Sequence, residues 1–239
     1  MQIKQAMILL GGKGTRLSDL YPDRPKALVP VAGRPFLAWQ LEWLFANKVE
    51  RVLLAAGHMG AQIKAWISRQ PYNNRVSVLI EPKPLGTGGA VKYALGRNRK
   101  GTVLVLNGDS LVPNLDFKGM EAGHAASGLP GTIAVTRIEN AGRYGAVIFD
   151  RNGRITRFEE KKKRGAGWIN AGIYLLDASI FSAVRPKIFI SIENEIFPAL
   201  AAGGRLGIFK SKPPLLDMGT PEGLRNMESY LRRHMLGKS

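Results

Sequence analysis

The stretch AMILLGGKGTRL, from Ala6 to Leu17, decides how this 239-residue sequence folds. An apolar run that predicts a buried strand stops at a loop containing three glycines, a lysine, a threonine and an arginine. Glycine gives the backbone conformations barred to other residues and lets a ligand approach main-chain N–H groups closely. The stretch therefore predicts a phosphate-binding loop at the end of a strand, with a plain tight turn as the alternative.

Short apolar runs alternate with helical patterns along the first half of the chain. The runs RVLLAA, VSVLI and TVLVLNGD predict further strands, and FLAWQLEWLF, AQIKAWIS and GGAVKYAL predict the helices between them. This alternation is typical of a mostly parallel sheet that is covered by helices on both faces. After about residue 130 the sequence is richer in strand patterns, and PEGLRNMESYLRRHM predicts a closing helix.

Composition narrows the classes of protein. The sequence has no cysteine, and its three histidines lack metal-ligand spacing, so we expect neither disulfides nor a zinc hydrolase site. No apolar stretch approaches the roughly 18 residues of a membrane span, and AMILL is too short for a secretory leader. We therefore expect a cytoplasmic protein that has no membrane partner.

The charge balance is strongly basic. There are 35 Lys and Arg residues against 18 Asp and Glu residues, which gives a formal net charge of +17. Such a field attracts polyanions, both nucleotides and nucleic acids. The basic residues are scattered apart from KKKR at 161–164, and no RNA-binding signature with interleaved aromatic residues occurs. Nucleotides are thus the expected partners, and nucleic acid is not.

A second cationic segment, DRPKALVPVAGRP, follows the glycine loop. Its Lys26 stands behind a proline that favours an extended conformation at Arg24. An arginine grips phosphate oxygens with two N–H groups, and a lysine acts as a point charge. The loop, Arg16 and Lys26 are therefore able to converge on one polyphosphate.

This series of motifs resembles the sugar-1-phosphate nucleotidyltransferase family. After GGKGTRL and PKALVPVAGRP come EPKPLGTGGAV, LNGDS, RYGAV, FEEK, NAGIY and DMGTPEGL, from about residue 6 to residue 225. The resemblance implies a Rossmann-like three-layer α/β/α nucleotide-diphospho-sugar transferase fold with a mostly parallel mixed central sheet. It implies a single domain over 1–239, with a nucleotide-binding half over about 1–115 and a sugar-phosphate-binding half over about 116–239.

The reaction implied by the resemblance joins a sugar 1-phosphate to a nucleoside triphosphate. A phosphate oxygen of the sugar phosphate attacks the α-phosphorus, and pyrophosphate leaves. Positioning and charge neutralisation supply most of the catalysis in such transfers, so no protein nucleophile is needed. Because two polyanions must meet, cationic side chains and Mg²⁺ are expected to offset their repulsion.

The resemblance also implies roles for individual residues. The catalytic positions are Arg16 at the outer phosphates, Lys26 near the α-phosphate, Lys161 at the sugar phosphate, and Asp109 and Asp217, which would hold Mg²⁺. The nucleotide-binding positions are Leu10, where the family often has alanine, and Gly11, Gly12, Gly14, Thr15, Glu81, Gly86, Thr87 and Gly88. The sugar-phosphate-binding positions are Asn107, Gly145 through its N–H, Glu160 through a sugar hydroxyl, Lys161, and Asn170 through its amide.

Several of these residues have plainer explanations. NGD is good turn sequence, and Asp217 is able to cap the helix that begins near Thr220, although Thr220 is the better candidate for that cap. Asn170 is able to satisfy a nearby backbone group, Gly86 and Gly88 are able simply to open a helix, and EEKKKR is typical of a solvated charged loop.

The base and the sugar are less sharply determined. PLGTGGAV, FLAWQLEWL and INAGIYLL most resemble the branch that joins GTP to D-glycero-D-manno-heptose 1-phosphate. Guanine presents two adjacent donors, and the Glu81 carboxylate is able to accept both. Mannose 1-phosphate with GTP, an amino-sugar 1-phosphate with UTP and glucose 1-phosphate with dTTP stay open. A catalytically silent relative that binds nucleotide or RNA as a regulatory module also stays open, as does a homodimer.

Overall fold

The computed structural model describes residues 3–12, 20–96, 100–139, 141, 144–159, 165–185 and 188–234. Its strands are β1 (Gln5–Leu10), β2 (Pro30–Val31), β3 (Arg34–Pro35), β4 (Arg51–Ala56), β5 (Val76–Ile80), β6 (Thr102–Asn107), β7 (Ser110–Leu111), β8 (Gly131–Ile138), β9 (Ala146–Phe149), β10 (Ile155–Glu159), β11 (Gly167–Asp177), β12 (Leu206–Ser211) and β13 (Leu216–Asp217). Its α-helices are α1 (Phe36–Ala46), α2 (Gly60–Ile67), α3 (Gly86–Leu95), α4 (Phe117–Ser127), α5 (Phe197–Ala202) and α6 (Pro221–His234).

The central sheet has seven strands in the order β12-β8-β11-β6-β1-β4-β5. The pairs β1 with β4, β1 with β6, β4 with β5 and β12 with β8 are parallel. Strand β11 runs antiparallel to both of its neighbours, β6 and β8. The predicted mostly parallel mixed sheet is therefore confirmed, and it contains strands from both predicted halves of the chain.

Alternate residues of β1 face different helical layers. Ala6, Ile8 and Leu10 join a cluster that includes α1, α2 and the buried residues of α6. Met7 and Leu9 join a second cluster, with α3 and α5. Side chains of a strand point alternately to the two sides of a sheet, so an apolar run such as QAMILL is buried on both faces. This pattern produces the three-layer arrangement.

The parallel strands deliver their chain exits to one edge of the sheet. Strands β1, β4, β5 and β6 all end there, and the following residues stay tied to the sheet. The Glu81 N–H donates to the Ala56 carbonyl at 2.8 Å, and the Gly108 N–H donates to the Leu9 carbonyl at 3.1 Å. In open α/β sheets this carboxyl edge is where ligands bind. Among the described helices, none combines the length and hydropathy that a membrane span requires.

Candidate active site

A cavity of about 520 Å³ opens at the carboxyl edge of the sheet. Its walls come from the ends of β1 and β6, the short helical turn Lys26–Leu28, the start of α3 and the segment 189–194. Gly11, Gly12, Lys26, Glu81 and Asp109, all predicted site residues, line it. The structure therefore gathers residues from several predicted motifs around one space.

Lys26 and Asp109 form an ion pair in this cavity. The Lys26 Nζ donates to Asp109 Oδ2 at 2.7 Å, and the side chains are 17% and 37% exposed. The Ser110 hydroxyl donates to the other carboxylate oxygen, Asp109 Oδ1, at 3.1 Å. The predicted cation and one predicted metal ligand thus meet across 83 residues of sequence.

Asp217 reaches the same turn through a two-stranded ladder. Strand β13 pairs antiparallel with β7, which places Asp217 opposite Ser110, and the Met218 N–H donates to the Asp109 carbonyl at 3.0 Å. The Asp217 carboxylate accepts the Gly219 N–H at 2.7 Å. The cap of α6 is instead Thr220, whose hydroxyl accepts the Gly223 N–H at 3.1 Å.

The two aspartates have a donor set that suits Mg²⁺. Mg²⁺ is a hard cation that takes one or two carboxylates and completes its shell with phosphate and water. Asp109, which lines the cavity, directly precedes β7, and Asp217 lies on β13, the strand that pairs with β7. Within the described ranges no cluster of three or more His, Cys, Asp or Glu side chains occurs, so a richer, all-protein metal cage is not found there.

A buried glutamine holds the turn that carries Asp109. Gln40 is fully buried in α1, and its Nε2 donates to the carbonyls of Asn107 at 3.0 Å and Ser110 at 2.9 Å. The two bonds clamp the turn on both sides of Gly108 and Asp109. Sequence reasoning missed Gln40, and the available signal was one amide inside the apolar helix FLAWQLEWLF.

Glu81 lies against the glycine loop. Its Oε2 accepts the Leu85 N–H at 3.1 Å, and its Oε1 lies 3.0 Å from the position that a Cβ atom at Gly11 would occupy. Burial raises the pKa of Glu81, and the Leu85 N–H opposes that rise. Gly11 therefore leaves room for a partly desolvated carboxylate at the cavity wall.

Leu10 covers the turn after β6. A Cβ atom at Gly108 would lie 2.2 Å from Leu10 Cδ2 and 2.6 Å from the Leu9 carbonyl oxygen. Leu10 is buried, although it also contributes to the cavity wall. Leu10, which stands where the family often has alanine, thus has room because the end of the neighbouring strand carries Gly108.

The glycines at the start of α3 accommodate a protein segment. Gly86 has a φ of +68°, and a Cβ atom there would lie 2.6 Å from the Ile190 carbonyl oxygen. That same oxygen accepts the Gly88 N–H at 2.8 Å. Gly86 and Gly88 therefore make room for Ile190, and since Gly86 also lines the cavity, their approach to the base stays a prediction.

Thr87 is also engaged within the protein. Its hydroxyl donates to Glu193 Oε2 at 2.7 Å and accepts the Ile192 N–H at 2.8 Å. The predicted nucleotide-binding hydroxyl thus fastens the segment 189–194 to α3. Thr87 and Glu193 both line the cavity, and no sequence motif pointed to Glu193.

The predicted sugar-binding residues Asn170 and Gly145 each have hydrogen-bond partners within the protein. The Asn170 amide donates to the Tyr174 hydroxyl at 3.1 Å, and its oxygen accepts the Gly172 N–H at 2.8 Å. The Gly145 N–H donates to the Ala141 carbonyl at 3.2 Å. The Asn170 oxygen thus satisfies a nearby backbone N–H, as the plainer explanation expects, and contact of Asn170 and Gly145 with a sugar stays a prediction.

A buried phenol, that of Tyr174, lies next to the cavity residue Glu193. Tyr174 is fully buried, and burial raises the pKa of its hydroxyl well above the usual value, as do the Glu193 and Asp109 charges. Hydrogen bonds from the side chains of Asn170 and Asn107 act in the opposite direction. Asn107, another predicted site residue, lines the cavity.

The predicted residues Gly14, Thr15, Arg16, Glu160 and Lys161 lie outside the described residues.

Comparisons with known proteins place the chain in a family. Residues 5–232 match the family described as nucleotidyl transferase. The chain is 37% identical to a mannose-1-phosphate guanyltransferase of Aspergillus fumigatus, over 91% of this chain and 61% of that relative. It is 29% identical to D-glycero-alpha-D-manno-heptose 1-phosphate guanylyltransferase of Aneurinibacillus thermoaerophilus, over 97% of this chain and 100% of that relative.

A solved structure shares the fold. The crystal structure of HddC from Yersinia pseudotuberculosis complexed with GMP-PN matches with a TM-score of 0.83 and 30% identity, over 95% of this chain and 99% of that chain. The chain spans about three fifths of the length of the Aspergillus relative, 61%.

Proposed function

The chain belongs to the nucleotidyl transferase family, and we propose that it transfers the guanylyl group of GTP to a manno-configured sugar 1-phosphate. The products are a GDP-sugar and pyrophosphate. D-glycero-D-manno-heptose 1-phosphate is the first candidate acceptor, and mannose 1-phosphate is the second. Relatives named for each acceptor, at 29% and 37% identity, support this pair of candidates.

One arrangement carries the proposal: Lys26 pairs with Asp109 in the cavity that Gly11 and Gly12 line, and the strand that ends in Asp217 pairs with the segment that follows Asp109. A reaction between two polyanions needs positive charge at the phosphates and a fixed place for the leaving group. We propose that Asp109 and Asp217 hold Mg²⁺, which, when bound, neutralises phosphate charge and favours departure of pyrophosphate.

Lys26 changes partner when substrate binds. In the free protein its ammonium group is paired with Asp109. With a triphosphate in the cavity, the same group is released to the α-phosphate region, where negative charge builds up during transfer. Gly11 and Gly12 carry no side chain at the cavity wall, so their main chain is open to close contact with the phosphates. Arg16 is proposed to hold the outer phosphates.

Glu81 is proposed to select guanine. A carboxylate is an acceptor only, and guanine offers an N–H and an amino group side by side. The partial burial that raises the pKa of Glu81 also strengthens such bonds, because water competes less for the carboxylate. Uracil and thymine place one donor between two acceptors and match a carboxylate poorly.

The sugar side rests on the FEEK and NAGIY motifs. Lys161 is proposed to bind the sugar phosphate and Glu160 a sugar hydroxyl. The Gly145 N–H already donates to Ala141, so its contact with the sugar would require that bond to exchange, whereas the Asn170 amide nitrogen donates one of its two N–H groups to Tyr174 and could offer the other.

A substrate matrix tests the proposed function. GTP, UTP, dTTP and ATP are each combined with heptose, mannose, glucose and amino-sugar 1-phosphates in Mg²⁺, and pyrophosphate release is measured. We expect the highest kcat/KM with GTP and a manno-configured acceptor. Asp109→Asn should abolish most turnover, whereas Glu228→Gln, which removes the same charge from α6, should not. Salt-sensitive polynucleotide binding without pyrophosphate release would instead indicate a silent regulatory module.

A further inference from the structure

We infer that Glu193 accepts a hydrogen bond from a ring hydroxyl of a bound substrate and so helps to determine specificity. The inference rests on the proposed function and adds a residue that none of the sequence motifs includes. Glu193 belongs to the single π-helical turn Ile192–Ile196, which precedes α5, and its side chain lines the cavity.

One carboxylate oxygen of Glu193 is held in place by the protein. Its Oε2 accepts the Thr87 hydroxyl at 2.7 Å and the Ser191 hydroxyl at 3.1 Å. These bonds come from the start of α3 and from the residue that precedes the turn. The carboxylate therefore has a fixed position before any substrate enters, as a specificity group requires.

The other oxygen of Glu193 is weakly engaged. The Tyr174 hydroxyl approaches Oε1 at 3.5 Å, which is the outer limit of a hydrogen bond. A carboxylate has about four lone-pair sites, so Glu193, which lines the cavity, keeps acceptor capacity. A donor at a normal distance would bind there more strongly than Tyr174 does.

The donor that a substrate offers to Glu193 must be one of its neutral groups, because an ionised phosphate has no N–H or O–H to donate. Glu193 and Asp109 both raise the pKa of Tyr174 through their charge, so the two carboxylates lie near the same buried hydroxyl. A phosphate directly against Glu193 would be repelled, whereas at Asp109 the charges of Lys26 and of the proposed Mg²⁺ would offset that repulsion. Hydroxyls are the neutral donors that both substrates carry, on the ribose of the nucleotide and on the ring of the sugar 1-phosphate. Their hydrogen bonds to a carboxylate are charge-assisted.

Substrates lacking single hydroxyls identify the partner. The kcat/KM of wild type and Glu193→Gln is measured with GTP and its 2′-deoxy and 3′-deoxy analogues, and with the acceptor and its 2-deoxy and 3-deoxy analogues. We expect Glu193→Gln to lose about 10- to 100-fold with the full substrates. With one analogue, wild type should fall by a similar factor and Glu193→Gln should fall little further. If that analogue is a deoxy GTP, Glu193 binds the ribose, and if it is a deoxy acceptor, Glu193 binds the sugar of the acceptor.

Glu195→Gln is the matched control, because Glu195 is exposed in the same turn and carries the same charge. It should behave as wild type with every substrate. Glu193→Asp keeps the charge on a shorter side chain and should show a smaller loss that is coupled to the same hydroxyl. This second variant also decides the matter if Glu193→Gln fails to fold.

Independent losses would overturn the inference. If the Glu193 variants lose the same factor with all full and deoxy substrates, the residue only supports the fold. Unchanged kcat/KM would refute it as well. A wild-type chain that releases no pyrophosphate with any pair would overturn the proposed function and this inference together, whereas zero coupling in an active enzyme overturns the inference alone.

Discussion

Removing the Lys26 ammonium should tighten divalent-ion binding to the free protein while it slows turnover. The Lys26 Nζ lies 2.7 Å from Asp109 Oδ2, so a metal ion that binds this oxygen must displace the ammonium group. In the catalytic complex the same ammonium group is proposed to stabilise charge on the α-phosphate. The two effects of Lys26→Gln therefore have opposite signs, which a simple loss of folding would not produce.

The magnitude follows from the exposure of the pair. The Lys26 side chain is 17% exposed and that of Asp109 is 37% exposed, so solvent screens the pair only in part. A charge-assisted pair at this depth contributes about 1 kcal/mol, which corresponds to roughly a fivefold lower Kd for the ion in Lys26→Gln. Loss of an electrostatic contact to the reacting phosphate should reduce kcat by about 10² to 10³.

Mn²⁺ serves as the measurable substitute for Mg²⁺. Its binding to nucleotide-free protein is followed by electron paramagnetic resonance for wild type, Lys26→Gln and Lys64→Gln. Lys64 is exposed on α2, so its replacement removes one charge without touching the site. An unchanged or weaker Mn²⁺ affinity in Lys26→Gln, or a gain no larger than that of Lys64→Gln, would show that the lysine does not compete for Asp109.

Three further predictions concern the cavity walls. Glu81→Gln should lower the preference for GTP over UTP by about 10- to 100-fold in kcat/KM. Burial raises the pKa of Glu81, so wild type should bind GTP most tightly above that raised pKa, where the carboxylate is ionised, and more weakly as the pH falls through it. KM for GTP measured against pH should show this dependence in wild type and not in Glu81→Gln. Gly86→Ala should cost about 2–4 kcal/mol in urea unfolding, since φ is +68° and the new Cβ meets Ile190 at 2.6 Å. Gly128→Ala, at a φ of +62° with open space around it, should cost only about 1–2 kcal/mol. Gln40→Met should raise the Mg²⁺ concentration for half-maximal activity about three- to tenfold, with kcat in saturating Mg²⁺ much less affected, because the turn bearing Asp109 loses both clamping bonds.

The sheet could be predicted because each strand carries its own signal. QAMILL and TVLVLN are buried on both faces, so their apolar runs mark interior strands without any knowledge of the neighbours. Parallel strands then deliver their exits to one edge, which is why Gly11 and Asp109 share a cavity. Local pattern and a topological rule are sufficient for this part of the molecule.

The packing around α3 could not be predicted in the same way. A side chain at Gly86 or Gly88 would crowd Ile190, a residue about a hundred positions later in the chain. A local explanation exists for each glycine, and it directed attention to a nucleobase instead. The segment ISIENEI belongs to none of the motifs, so its contact with Thr87 had no signature in the sequence. Gln40 was hidden for the same reason, because its two acceptors lie on a distant strand end.

Four acidic side chains at this edge of a chain of net charge +17 need separate explanations. A site for two polyanions should exclude carboxylates, unless each one has a partner other than phosphate. Asp109 and Asp217 lie together where a cation would bind, and Lys26 occupies part of that place in the free protein. Glu81 lies against Gly11 and is proposed to accept the paired donors of guanine, and Glu193 is proposed to accept from a neutral hydroxyl. In the proposed mechanism charge thus divides the cavity into a centre for Mg²⁺ and phosphate and flanks for neutral groups, so we expect specificity and catalysis to depend on different carboxylates.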